Sequence, residues 1–220
     1  KINQFLTEKS LFIFDFDGTL VDSNNIKSEV FRILFFKQTK KVKDKIVKYH
    51  LENGGISRER KIKYYLKYLV DKKLDKYELS LLIKRFEELV KDRVIRANEI
   101  SGSERFLKHL KKMKKECIIN SGTPQKELRS ILKAKKWDKY FSCIYGSPRR
   151  KSQNILAHLK KRKYKKSSIV FFGDSKDDYK SAKSCYIDYI HLGDKKLLLT
   201  KKSKLKFKLK NYIGIKTLKI

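Results

Sequence analysis

No apolar run in this chain approaches the roughly 18 residues that a membrane-crossing helix needs, so no transmembrane helix is expected. The first residues, Lys1-Ile2-Asn3-Gln4, lack the charged-then-apolar layout of a secretory signal, and a cytoplasmic protein is the expectation. Cysteine is scarce: Cys117, Cys143 and Cys185 are an odd number without metal-type spacing. Each sits in or beside an apolar segment, which suits buried free thiols in a reducing compartment. Acidic residues are also short, with 57 Lys and Arg against 24 Asp and Glu and a formal charge of +33. Such a field attracts polyanions, so nucleic acid is one conceivable partner. Yet the excess is almost all Lys, spread along the whole chain, and no compact Arg/aromatic platform or nucleic-acid motif is present. A compositional bias is the favoured reading, and the field should make binding of small anions salt-sensitive.

What is present points to a globular α/β protein. The 220 residues suffice for one large or two small domains with a real core. Apolar runs alternate with helical patterns, the layout of a parallel sheet. A strand is expected at about 10–16, followed by residues 24–98 without a convincing strand. Lys61–Leu69 and Leu79–Val90 there carry apolar positions at helical spacing. Further strands are expected at Cys117–Ile119, Phe141–Tyr145, Ser168–Phe172 and Ile187–Leu192. Helices are expected near 102–114, after Pro124, from Ser152 and from about 176. The Lys-rich end is ambiguous, although Leu205, Phe207 and Leu209 alternate with Lys as in an edge strand. A helical block inserted after the first strand implies two modules.

Four segments carry chemistry. Leu11-Phe12-Ile13-Phe14 leads into Asp15-Phe16-Asp17-Gly18-Thr19-Leu20-Val21-Asp22-Ser23. Two carboxylates at the end of a buried strand are costly unless they are paired or hold a metal, and strand ends of this kind are where ligands bind. A carboxylate there can also serve as a nucleophile. Ile118-Ile119-Asn120-Ser121-Gly122-Thr123-Pro124 is a strand, then a hydroxyl with free N–H groups at a helix start, a ready anion site. Gly146-Ser147-Pro148-Arg149-Arg150-Lys151 follows another strand and places a cation at a helix start. In Phe171-Phe172-Gly173-Asp174-Ser175-Lys176-Asp177-Asp178, Asp174 and Asp178 fall on one helical face and suit a hard cation.

In order and spacing these segments resemble the four motifs of the haloacid dehalogenase-like hydrolases, over about 1–22 and 100–220. The nearest likeness is to the phosphoglycolate phosphatase and β-phosphoglucomutase-like branch. The resemblance implies a Rossmann-like parallel sheet core at 1–22 and 100–220, with an inserted α-helical cap domain at 23–99. It implies Asp15 as nucleophile, Asp17 as general acid/base, and Ser121 with Gly122 as phosphate holders. Lys151 would balance charge, and Arg149 and Arg150 beside it compete for that role. Mg²⁺ would be the cofactor, bound by Asp15, Asp174, a backbone carbonyl of Asp17, and Asp178 directly or through water. An Asp at position 17 argues against carbon–halogen cleavage and for a phosphatase acting on a small phosphorylated metabolite.

Within 23–99, Asn53-Gly54-Gly55-Ile56-Ser57-Arg58 interrupts two helical patterns with paired glycines and resembles the cap loop that reaches the active site. Arg58 is the candidate substrate contact there. A phosphomutase using the same residues, and a nucleic-acid binder or end-phosphatase, stand as alternatives.

Overall fold

The computed structural model describes residues 1–73, 75–193 and 207–215. Its centre is a six-stranded sheet of β1 (Leu11–Phe14), β2 (Glu116–Pro124), β3 (Cys143–Ser147), β4 (Ile169–Gly173), β5 (Asp188–Leu192) and β6 (Phe207–Leu209). The spatial order is β3-β2-β1-β4-β5-β6 and every pairing is parallel. Two runs of strands thus spread outwards from β1, the Rossmann order, with the strand order reversing beside β1. Phe14 stands level with Ile119 on one side and Phe172 on the other, so the carboxyl ends of β1, β2 and β4 open at one edge.

Alternate residues of the buried strands feed two separate cores, as the two-residue period of a strand requires. Phe12, Phe14, Ile119, Val170 and Phe172 join Leu6, Phe106, Leu110 and Leu128 on one face. These belong to α1 (Ile2–Thr7), α6 (Ser103–Lys112) and α7 (Gln125–Ala134). Leu11, Ile13, Ile118 and Phe171 join Ile155, Ala182 and Cys185 on the other, from α8 (Lys151–Lys161) and α9 (Lys176–Cys185). Both faces being covered explains why the strands read as continuous apolar runs.

Between β1 and α6 lie α2 (Asn24–Leu34), α3 (Lys40–Glu52), α4 (Arg58–Tyr64) and α5 (Lys76–Arg96). The last turn after α4 widens into a π-helical turn, Tyr65–Leu69. An aromatic cluster holds the block together: the Phe31 ring lies 4.5 Å from Phe86 and 5.2 Å from Tyr65, and Tyr49 stacks on Tyr64 at 3.9 Å. That cluster is continuous with the first sheet face, so the block is packed onto the sheet layer.

Several expectations shift in detail. β2 runs on through Pro124, which is the N-cap of α7 rather than a residue of its first turn. A short helix, α1, precedes β1 where none was expected. Cys117 and Cys185 are buried free thiols while Cys143 is half-buried. Phe207 and Leu209 do form an edge strand; Leu205 lies outside the described residues. No helix among the described residues is long and apolar enough to cross a membrane.

Candidate active site

At the carboxyl edge of the sheet the segments singled out from sequence converge. Asp15 leaves β1 buried, with its N–H donating to the Phe172 carbonyl at 2.9 Å. Its Oδ1 lies 3.0 Å from Lys151 Nζ but takes no hydrogen bond. Burial, together with the neighbouring Asp178 charge, pushes the Asp15 carboxyl up to about 7.

Asp17 is held differently. Ser23 Oγ donates to Oδ1 at 2.6 Å, Thr123 Oγ1 donates to Oδ2 at 2.8 Å, and Lys27 Nζ lies 2.5 Å from Oδ2. Burial works to raise this carboxyl, but the Lys27 charge and the three hydrogen bonds outweigh it and hold Asp17 at about 2. Ser23 occupies the N-cap position of α2, yet its hydroxyl serves Asp17 and makes no capping bond. Two carboxylates two residues apart thus have opposite proton affinities, the pattern that separates roles at an active site.

Lys151 is the first residue of α8 and buried. Its Nζ donates to Asp178 Oδ1 at 2.6 Å as well as facing Asp15. Burial alone would lower its pKa; Asp15 and Asp178 outweigh that and raise it. Arg149 and Arg150, its competitors in the sequence, are exposed. Asp178 spends Oδ2 on Ser175, accepting from its N–H at 3.1 Å and its hydroxyl at 2.5 Å. The cap of α9 is therefore Ser175, reciprocated by Asp178, and Asp174 is free of that duty.

Asp174 faces the cleft, with Asn24 Nδ2 donating to its Oδ2 at 3.0 Å. The residue keeps some exposed surface, but its carboxyl is enclosed; burial and the Asp15 charge push it up to about 7. Asp178, also raised by burial, sits at about 6. Ligand oxygens of Asp15, Asp174 and Asp178 all lie within 4.8 Å of one another. Three carboxylates face the single ammonium of Lys151, and one oxygen of Asp15 has no hydrogen bond. That donor set fits a hard divalent cation held by oxygen ligands. Gly18, at φ +73°, is required here, because a Cβ would meet Asp174 Oδ2 at 2.3 Å.

Ser121 is buried at the end of β2, its Oγ accepting from the Thr123 N–H at 3.1 Å. Gly122 beside it meets the loop between α3 and α4: a Cβ there would lie 2.3 Å from the Gly55 carbonyl oxygen. Gly55 in turn sits against Ser175 and the Lys151 ammonium. The paired glycines therefore do reach the carboxylate cluster. Together these elements line a partly open cavity of about 40 Å³, bordered by Asp15, Asp17, Lys27, Arg58, Lys61 and Ser121 among others.

Arg58 lines that cavity and also ties the cap to the sheet layer. Its Nη2 donates to Glu127 Oε1 at 2.5 Å and its guanidinium lies 4.6 Å over the Phe86 ring. Glu127, in the first turn of α7, thus ties α4 to the sheet layer. Sequence reasoning missed Glu127, Lys27, Thr123, His50 and Lys61. Thr123 stood in a quoted motif and Lys27 one helical turn after Ser23, so those two carried a signal; the others carried none.

The profile of the haloacid dehalogenase-like hydrolases matches residues 12–192. No curated protein sequence matches the chain. Among solved structures, a predicted phosphoglycolate phosphatase from Haemophilus somnus 129PT is 18% identical, covers 93% of this chain and 95% of its own, and has a TM-score of 0.74. CbbY from Rhodobacter sphaeroides, solved with phosphate, is 13% identical over 94% of this chain and 96% of its own, at a TM-score of 0.73. A Thermotoga maritima protein with a provisional β-phosphoglucomutase assignment is 21% identical over 90% and 93%, at 0.65. At such identities the likeness is one of fold.

Proposed function

We propose, from the premise that this chain belongs to the haloacid dehalogenase-like hydrolases, that it is a cytoplasmic phosphatase of a small phosphorylated metabolite acting through an aspartyl-phosphate. One observation carries the reading. Asp15, ion-paired to Lys151, stands next to an Asp17 gripped by Ser23, Thr123 and Lys27. A hard cation held by Asp15, Asp174, the Asp17 backbone carbonyl and the Lys151-bound Asp178 would supply charge neutralisation between nucleophile and phosphate; Mg²⁺ is the proposed ion.

The chain's own residues account for the rest. Asp15 is the attacking carboxylate, placed at the carboxyl end of β1 with Lys151 beside it. Ser121 Oγ, the N–H groups around Gly122 and the Lys151 ammonium would hold the phosphoryl oxygens, where positioning and electrostatics dominate the barrier. Asp17 would protonate the departing alkoxide and then take a proton from the water that cleaves the acyl phosphate. Held at about 2, Asp17 is ready as the base; as the acid it needs its grip from Lys27 loosened, as a leaving-group oxygen inserted beside them would do.

We assign residues 23–99 as the cap. His50, Arg58 and Lys61 from this block line the same cavity as Asp15 and Ser121, so the cap covers the nucleophile. Arg58 is retained as a substrate-facing group through its Nη1, which has no hydrogen-bond partner, while Glu127 holds the other side. The test is hydrolysis of a phosphometabolite panel, ranked by kcat/KM, with Mg²⁺ and with EDTA. Turnover of no phosphomonoester overturns the reading; an absolute need for a bisphosphate activator makes the enzyme a phosphomutase.

A further inference from the structure

Among the described residues, three of the four buried Lys and Arg side chains are ion-paired to carboxylates. Lys9 pairs with Asp188, Arg58 with Glu127, and Lys151 with Asp15 and Asp178; Lys27, nearly as enclosed, pairs with Asp17. Lys61 does not. It is 3% exposed, and among the described residues no carboxylate forms an ion pair with it. Its Nζ donates to His50 Nδ1 at 2.8 Å and reaches the His50 carbonyl at 3.4 Å. A buried ammonium without an ion-pair partner is costly; Asp17 and Asp174 favour its charge, but burial and the Lys27 charge outweigh them.

The surroundings say what it lacks. Because Nδ1 accepts from Lys61, the neutral His50 ring carries its proton on Nε2, and that atom has no hydrogen-bond partner. The backbone of Asn24 lies beside the ring and favours its protonated form. Burial, then the Lys61 charge, drives His50 to about 2, so the ring stays neutral. Arg58 Nη1 is likewise buried without a partner. All three groups are donors, and all line the cavity that contains Asp15, with Phe31 and Phe86 as its apolar wall. Two donors without partners and one ammonium without an ion pair describe a site for an oxyanion.

We propose that Lys61, positioned by His50, is the subsite for a second anionic group, carboxylate or phosphate, on the phosphomonoester whose phosphoryl group faces Asp15. This rests on the phosphatase reading and narrows its substrate class to small metabolites bearing two anions. Arg58, already neutralised by Glu127, contributes a hydrogen bond; Lys61 contributes the charge. Burial lowers the Lys61 amine to about 7, and a bound anion would restore its full protonation.

The test uses the full chain with Mg²⁺ and two matched pairs: 2-phosphoglycolate against its carboxamide, and a pentose 1,5-bisphosphate against the pentose 5-phosphate. Wild type should favour the anion-ended member of at least one pair. Lys61→Met should cut that ratio of kcat/KM by roughly 10- to 100-fold, the scale of one charged hydrogen bond, and Lys61→Arg should keep most of it. Loss confined to the first pair identifies a carboxylate, and loss confined to the second a phosphate. An unchanged ratio overturns the proposal. Lys61→Gln gives the same reading should the Met variant fail to fold. Calorimetric binding of 2-phosphoglycolate and the bisphosphate to wild type and Lys61→Met separates the two claims. If wild type turns over nothing, the phosphatase reading falls, while tenfold weaker binding by Lys61→Met upholds the subsite and equal or absent binding overturns it.

Discussion

Adding one methyl group to Gly122 should separate cap closure from folding. Its Cβ would sit 2.3 Å from the Gly55 carbonyl oxygen and 3.0 Å from the Gly55 carbonyl carbon. A carbon–oxygen contact settles near 3.3 Å, so the loop must retreat by about 1 Å. Both offending atoms are backbone, so no rotamer change relieves them. Gly122 does not use a left-handed backbone, so alanine is not strained within the sheet layer itself. The cheapest response is for the loop carrying Gly54 and Gly55 to lift from Lys151 and Ser175. A displacement of about 1 Å at a reacting centre lowers rate by the order of 10²-fold. We expect Gly122→Ala to lose about that factor in kcat while unfolding at nearly the wild-type temperature. Gly54→Ala, whose Cβ would meet only the Ser175 side chain at 3.0 Å, should lose far less. Steady-state kinetics on any turned-over phosphomonoester, with thermal unfolding alongside, decide it. Gly122→Ala at wild-type kcat would mean that this closed arrangement is not the working one.

Other perturbations address individual groups. Asp17→Asn should keep phosphoryl transfer from esters with good leaving groups and accumulate labelled phosphoenzyme, since only proton transfer is lost; equal losses on good and poor leaving groups would remove its acid/base role. Asp174→Ala should weaken Mg²⁺ activation, with partial rescue at high Mg²⁺, and EDTA should silence the wild type; undiminished turnover in EDTA would refute a metal-dependent reaction. Lys61 titrates at 10.5 unfolded and about 7 folded, so the unfolded chain binds more protons between those values and stability should rise with pH across that window. At about 1.4 kcal/mol per tenfold difference in proton affinity, the native state carries up to roughly 5 kcal/mol of cost below pH 7. Lys61→Met should therefore unfold at higher urea than wild type at pH 7, with the gap narrowing by pH 10; a gap independent of pH would mean that the amine is not buried as described.

The sheet was legible because its strands are buried on both faces and read as unbroken apolar runs, as Leu11–Phe14 and Ile169–Gly173 do. α1 escaped notice because Ile2–Thr7 is too short to show a helical period and only Leu6 is buried. At the site, Asp15, Asp17, Ser121, Lys151, Asp174 and Asp178 announce themselves through strand-end motifs, and the structure gathers them at one edge. What surrounds them is tertiary. Glu127 meets Arg58 across 69 residues, and His50 meets Lys61 from a different helix. In a chain carrying 57 Lys and Arg residues, no local pattern marks one lysine as buried and unpaired. The role of Ser23 was hidden for another reason: a Ser before a helix normally caps it, and here it serves Asp17.

The central claim is that Asp15 becomes phosphorylated. Rapid acid quench of the enzyme with Mg²⁺ and a ³²P-labelled phosphomonoester, followed by peptide mapping, tests it directly. The account predicts label on the peptide containing Asp15, discharged by hydroxylamine and absent from a folded Asp15→Asn variant. Turnover without any labelled intermediate in both wild type and Asp17→Asn, or normal turnover by Asp15→Asn, would contradict it.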